Sequence, residues 1–300
     1  MKKQIRRAMI CSVAMMLVAI VTLTGVTYAW FSESNEATVD GISMKVAAYE
    51  GGIYISKDPY PKTFDNSISI PADEIFQGDH NPASTAGYLS GGKLQFFSGS
   101  LDGPTDKTLN EITAVSENGY YFEQDIYFDN STGSKEIKIN LVGTEIIPTD
   151  GKRTDLAARI AIVTHGSITP TEFAQQKPYP TATDKSAVQI YEPNATVHTP
   201  AGHTEYKNNM PGQAAASDTV EYKYFGLKAI GTDVDRFAAG TQLEEVTTKK
   251  NLQDVIIKVP AESYLKITLY VWLEGQDADC QNNISGKPYT ADIHFTLVEG

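Results

Sequence analysis

From Leu265 to Glu274 the chain alternates without a break. Leu265, Ile267, Leu269, Val271 and Leu273 share one parity; Lys266, Thr268, Tyr270, Trp272 and Glu274 share the other. Side chains of an extended strand alternate between two faces, whereas a helix would spread the same apolar set round its circumference. This segment therefore reads as a long strand with its leucine face turned to a core, and it constrains the fold more than any other stretch.

Other segments repeat the pattern. Ile42, Met44, Val46 and Ala48 alternate with polar or small residues, as do Ile137, Ile139 and Leu141, and Ala291, Ile293, Phe295 and Leu297. Shorter strands are expected at 52–56, 93–98, 120–128, 158–164, 187–191, 221–229 and 255–259, all rich in Val, Ile, Tyr, Phe and Thr. Helical signal is thin. Thr169-Pro170-Thr171-Glu172 has the residues of a helix start with proline at the first position, and Leu243–Leu252 is expected to hold a second short helix. The sum is an all-β chain, an antiparallel two-sheet sandwich of jelly-roll type. Two loop insertions rich in Pro, Ala, Thr, Asn and Gly are expected near 57–92 and 177–219.

The amino end carries a different signal. Lys2, Lys3, Arg6 and Arg7 precede an uncharged apolar run from Met9 to Val26, and Thr27 and Ala29 occupy the small-residue positions a signal peptidase reads. Residues 1–29 are therefore expected to be a leader cleaved before Trp30, leaving a secreted or cell-surface chain of 30–300. The alternative is an uncleaved membrane anchor, since about 18 apolar residues just span a bilayer. On the cleaved reading the membrane is met only through the leader. Losing its four basic residues takes the formal charge from −12 to −16. So acidic a chain repels phosphates, which excludes nucleic acid as a partner. Of the two cysteines, Cys11 leaves with the leader, and Cys280 alone can form no internal disulfide.

Chemistry-bearing motifs are sparse. There is no Gly-x-Ser-x-Gly elbow, no phosphate-binding loop and no zinc spacing among His80, His165, His198, His203 and His294. No catalytic residue is assigned, and the chain is read as non-enzymatic. Glu274, Asp277 and Asp279, with Asn282 and Asn283, form an oxygen-rich loop and are the calcium candidates, although acidic turns between strands are common. No other cofactor is expected. Tyr54, Tyr60, Tyr88, Tyr179, Tyr206 and Tyr222 could supply a sugar platform, but strand-facing bulk is the plainer reading.

The junction Leu23-Thr24-Gly25-Val26-Thr27-Tyr28-Ala29-Trp30-Phe31-Ser32 resembles the processing region of the TasA/camelysin group of exported Gram-positive proteins, with Gly-Val-Thr where Gly-Gly-Thr is usual. That resemblance covers about the first fifty residues. It implies a SipW-type signal peptidase as a partner, a jelly-roll domain, and an extracellular, surface or matrix role such as biofilm. Camelysin-type proteins have been classed as peptidases, and no metal-binding motif here supports that activity. Two further segments, Ile190–Asn194 and Val271–Cys280, resemble uncharacterised exported proteins of Firmicutes, which carry no activity to transfer. Ile42, Met44, Val46 and Ala48 are expected to form an assembly strand through which the chain self-associates into fibres by exchange. The alternative function is a surface module binding a glycan or protein, with a hidden hydrolase site third.

Overall fold

The computed structural model describes residues 43–49, 53–70, 81–85, 87–101, 107–112, 119–148, 154–193, 223–227, 243–249, 251–254, 256–275 and 289–298. Within them lie seventeen strands and one α-helix, so the protein is all-β.

Two sheets face one another. The six-stranded sheet runs in the order β15 (Ile257–Val259), β9 (Ile137–Asn140), β17 (Tyr289–Leu297), β1 (Ser43–Tyr49) and β3 (Ser67–Ile70). β10 (Glu145–Pro148) continues β9 along the same edge of β17 after the four-residue connection 141–144. The seven-stranded sheet has the order β13 (Lys223–Leu227), β14 (Leu243–Lys249), β12 (Val188–Tyr191), β11 (Ala158–Ile168), β16 (Ser263–Leu273), β8 (Tyr121–Asn130) and β2 (Tyr54–Ser56). Two small hairpins complete the set: β4 (Leu89–Ser90) with β5 (Lys93–Leu94), and β6 (Phe97–Leu101) with β7 (Lys107–Glu111).

The leucine face of β16 behaves as its alternation demands. Leu265, Ile267, Leu269, Val271 and Leu273 are buried against Ile293, Phe295, Ile139, Ile257 and Val259 of the opposite sheet, in one continuous core. Ile126 and Phe128 of β8 and Ile160 and Ile162 of β11 flank them, each alternating with residues on the outer face. Each such side chain contributes about 1.5–3 kcal/mol on burial, which makes this core a main source of the fold's stability.

The sheets are mostly antiparallel, as expected, with two parallel pairings, β1 with β17 and β12 with β14. One expected element is corrected: Leu243–Leu252 is not a helix. Leu243–Lys249 is strand β14, antiparallel to β13, and only Leu252–Asp254 turns, as a single 3-10 turn. Val246, Thr247 and Thr248 are β-branched and favour the strand, and cross-strand pairing overrides the helix preference of Leu243 and the two glutamates beside it. The opposite parity of the Leu265–Glu274 segment is largely buried as well. Tyr270, Trp272, Thr268 and Glu274 are all buried. Tyr270 and Trp272 belong to a second apolar cluster, with Ala83, Leu94, Phe96, Tyr121, Ala161 and Val163. Strands β3 and β12, both in the main sheets, fall inside the two ranges expected to be insertions.

The expected helix start is present. The α-helix α1 (Pro170–Ala174) has a full capping box: Thr169 Oγ1 accepts from the Glu172 N–H, and the Glu172 carboxylate accepts from the Thr169 N–H. Proline stands at the first turn, where its missing N–H costs nothing.

Candidate functional site

Strand β1 occupies an interior place in its sheet, between β17 and β3. Met44, Val46 and Ala48 register with Ala291, Ile293 and Phe295, all fully buried, and Val46 also registers with Ile68 of β3. Residue 42, the first of the expected assembly strand, lies outside the described residues. A strand so placed satisfies backbone groups on both of its edges, and its departure would leave two unpaired edges and an apolar slot between them. No strand precedes β1 among the described residues, and it passes to β2 through residues 50–52.

The expected cleavage residues Thr27, Ala29 and Trp30 lie outside the described residues, as do Asp277, Asp279, Cys280, His80, His198 and His203. Glu274 is described and is fully buried. Its Oε2 accepts the indole N–H of Trp272 at 3.1 Å, and its backbone N–H donates to Ala157 at 2.8 Å. No group of three or more potential metal ligands occurs among the described residues, where no helix is long and apolar enough to cross a membrane either.

On the outer face of the seven-stranded sheet, cross-strand register brings distant residues into rows. Arg159 stands opposite Trp272, which stands opposite Tyr121. Arg159 Nη2 lies 3.0 Å from Glu192 Oε1, and both side chains are buried. The same guanidinium donates through Nη1 to the carbonyls of Ala158 at 3.1 Å and Leu156 at 3.4 Å. Arg159 thus stands between Glu192, which follows β12, and Trp272 of β16. Sequence reasoning passed over Arg159, although one signal was available. It is the lone charge in the apolar run Ala157–Val163, and such a charge is retained in a core only when paired.

Further along β11 the ladder with β16 slips between Thr164 and Ser167, so that His165 and Gly166 form a bulge opposite Lys266. A bulge frees backbone groups from the ladder and re-aims a side chain. Here a strap, residues 177–184, takes up both. The freed Gly166 N–H donates to the Pro180 carbonyl at 3.1 Å, and the Ala182 N–H donates to His165 Nδ1 at 3.0 Å. His165 Nε2 lies 2.8 Å from Thr268 Oγ1, whose hydroxyl donates to Asp125 Oδ1 at 2.6 Å; Lys266 Nζ lies 2.8 Å from Asp125 Oδ2. Because Nδ1 accepts the Ala182 N–H, the ring proton sits on Nε2, and the imidazole donates to Thr268. That polarity is the reverse of a nucleophile activated by a general base, which needs the lone pair of Nε2 on the hydroxyl. Burial foremost, and Lys266 second, push the His165 pKa down to about 4, against a smaller opposing pull from Asp125.

The strap passes between glycines. A Cβ on Gly166 would lie 2.5 Å from Pro180, and one on Gly92, where φ is +83°, would lie 2.0 Å from Thr181. Beside it is an aromatic cluster. Phe173 stacks on Tyr264 with centroids 4.0 Å apart, Tyr264 stacks on Phe64 at 5.5 Å, and Tyr179 of the strap tilts onto Tyr127 at 5.0 Å and Tyr60 at 6.2 Å. Of the tyrosines noted in the sequence, Tyr60 and Tyr179 are brought together here. Tyr54 is half exposed on the same sheet, and Tyr88 lies under the ammonium of Lys185 at 4.6 Å. Tyr206 and Tyr222 lie outside the described residues. These rings spend their faces largely on one another, fastening α1 and the strap to the sheet.

Compared with known proteins, the chain matches no family model, no curated protein and no solved structure.

Proposed function

We propose that this chain is an exported, non-enzymatic structural protein of the cell surface or extracellular matrix, whose subunits join by exchanging strand β1. The observation that carries the reading is the placement of β1. It is an amphipathic strand, it fills an interior slot between β17 and β3, and its sequential neighbour β2 belongs to the other sheet. A strand from a second copy offers the same main-chain hydrogen bonds in the same register, so exchange conserves the contacts of the closed subunit while linking two chains. The leader and the acidic charge of the remaining chain agree with export.

The test uses cysteine pairing in a Cys280→Ser background. Ala47 registers with His294 across the β1–β17 ladder, and neighbouring strands lie about 4.8 Å apart, within disulfide range. Mixing Ala47→Cys subunits with His294→Cys subunits under oxidation should give intermolecular links in assembled material. Monomers at high concentration with no such links, alongside efficient internal closure in the double variant, would overturn the proposal. Val46→Pro, which removes a ladder donor from β1, should reduce assembly in negative-stain images.

A second reading rests on a separate observation, the exposure of Tyr54 beside the Tyr60–Phe64–Tyr264 group. In that reading the chain is a surface module that binds a glycan or protein through this aromatic edge. Glycan-array binding that is lost in Tyr54→Ala, in a protein that stays monomeric, would favour it.

A further inference from the structure

We propose that His165 is an acid-released latch for the strap 177–184, holding it across the outer face of the seven-stranded sheet at neutral pH and letting it go when the imidazole takes a second proton. The geometry leaves no room for that proton. Nδ1 already accepts the Ala182 N–H, and Nε2–H is already given to Thr268, whose own hydroxyl is committed to Asp125. A proton on Nδ1 would set two N–H donors against each other, so the Ala182 bond must break.

Among the described residues, the charged and titratable groups facing the ring are four. Lys266 comes from β16, opposite the bulge, and opposes a cationic ring; Asp125 from β8 favours one, but its two oxygens are already engaged by Thr268 and Lys266. Tyr127 of β8 and Tyr179 of the strap are neutral phenols whose ionisation burial pushes far upward. No carboxylate among the described residues is placed to take over the proton on Nδ1.

What the latch holds is small and separable. The strap has no regular secondary structure from Lys177 to Thr183, and its Gly166–Pro180 bond is a single backbone contact at the bulge. The strap is held further by the Tyr179 ring contacts, the bonds of Tyr60 and Tyr179 to the carbonyls of Lys177 and Pro59, the packing of Thr181 on Gly92, and the packing of Ala182 against the second apolar cluster. The strands beneath it keep their own ladders without it. Release would therefore expose Tyr127, Thr268 and the aromatic cluster while the sandwich stays folded.

Hydrogen exchange read by mass spectrometry across pH 3.5–7.5, corrected for intrinsic rates, tests this on the full secreted chain. With the closed strap holding the ring neutral to about pH 4 and an open strap titrating near 6.5, strap opening should rise about a hundredfold between pH 7 and 4. Peptides of β16 should keep their protection. His165→Asn supplies an oxygen where Nδ1 was and cannot be protonated, so its strap should stay closed through the same range. A wild-type strap as protected at pH 4 as at pH 7, or one that opens equally in the Asn variant, overturns the latch. If the variant does not fold, an NMR titration of the wild-type imidazole decides instead. The latch requires a neutral Nε2–H ring at pH 5.5 and strap signals that shift with its titration; a ring titrating near 6.5 with the strap unmoved refutes it.

Discussion

Arg159 and Glu192 meet 3.0 Å apart, with no more than 3% of either side chain exposed to solvent. The pair joins β11 to the residue just after β12, and it lies beneath the cluster that covers the outer face of the sheet. Taking two charges out of water costs several kcal/mol per ion, and further hydrogen bonds offset part of that cost: the guanidinium donates to two backbone carbonyls besides the carboxylate.

Removing one partner leaves the other charged and buried. Glu192→Ala should therefore lower unfolding free energy by roughly 3–5 kcal/mol, whereas Arg159→Met with Glu192→Leu should cost far less, because no lone charge remains. Chemical denaturation of the three proteins checks the order. A single variant no worse than the double would contradict it.

Leu269→Asp should abolish soluble folding, since it places an unpaired carboxylate in the middle of the main core. The alternation alone suggests that Lys266→Asp is harmless, but Lys266 pairs with Asp125 at 2.8 Å. The substitution sets two carboxylates together at a half-buried site, and we expect a loss of about 1 kcal/mol, with Lys266→Gln milder. Thermal melts of the variants distinguish these outcomes.

Gly166→Ala should lift the strap without unfolding the sandwich. The added methyl meets the Pro180 ring at 2.5 Å, and overpacking of this kind costs about 1–3 kcal/mol unless the strap moves. Faster proteolysis at Lys177 and Lys185 with an unchanged melting curve is the expected result.

Stability should depend on His165 in a defined window. Its folded pKa of about 4 lies below the unfolded value near 6.5, so the unfolded chain binds the proton first. The contribution is complete above pH 6.5, shrinks as pH falls toward 4, and is gone below that. The difference in denaturation midpoint between wild type and His165→Asn should therefore change only between these values. A difference independent of pH would show that the ring does not titrate as described.

The leader should be cut between Ala29 and Trp30, where small residues stand at the recognition positions and charge resumes just beyond Phe31. Intact mass of the secreted chain reads this directly, and a mass that retains Met9–Val26 would establish the anchor instead.

The chain's sequence, taken alone, determined the class of fold and the inward face of its strands. Alternation is local: Leu265 to Leu273 must share a face in any extended conformation, and the structure buries all five. The start of α1 was legible for the same reason, because a capping box closes within four residues. What only tertiary structure decided is what depends on register between strands far apart in sequence. No local pattern says that Arg159 stands between Glu192 and Trp272, or that a one-residue slip in β11 aims His165 at the Ala182 N–H. The burial of the outer face of β16 was settled on the same ground: parity only sets Tyr270 and Trp272 opposite the leucine face, and they are buried because residues near Ala83 and Phe96 pack over them. Helix or strand at Leu243–Leu252 was likewise settled by a partner, since a strand's backbone bonds lie outside itself and a helix's lie within.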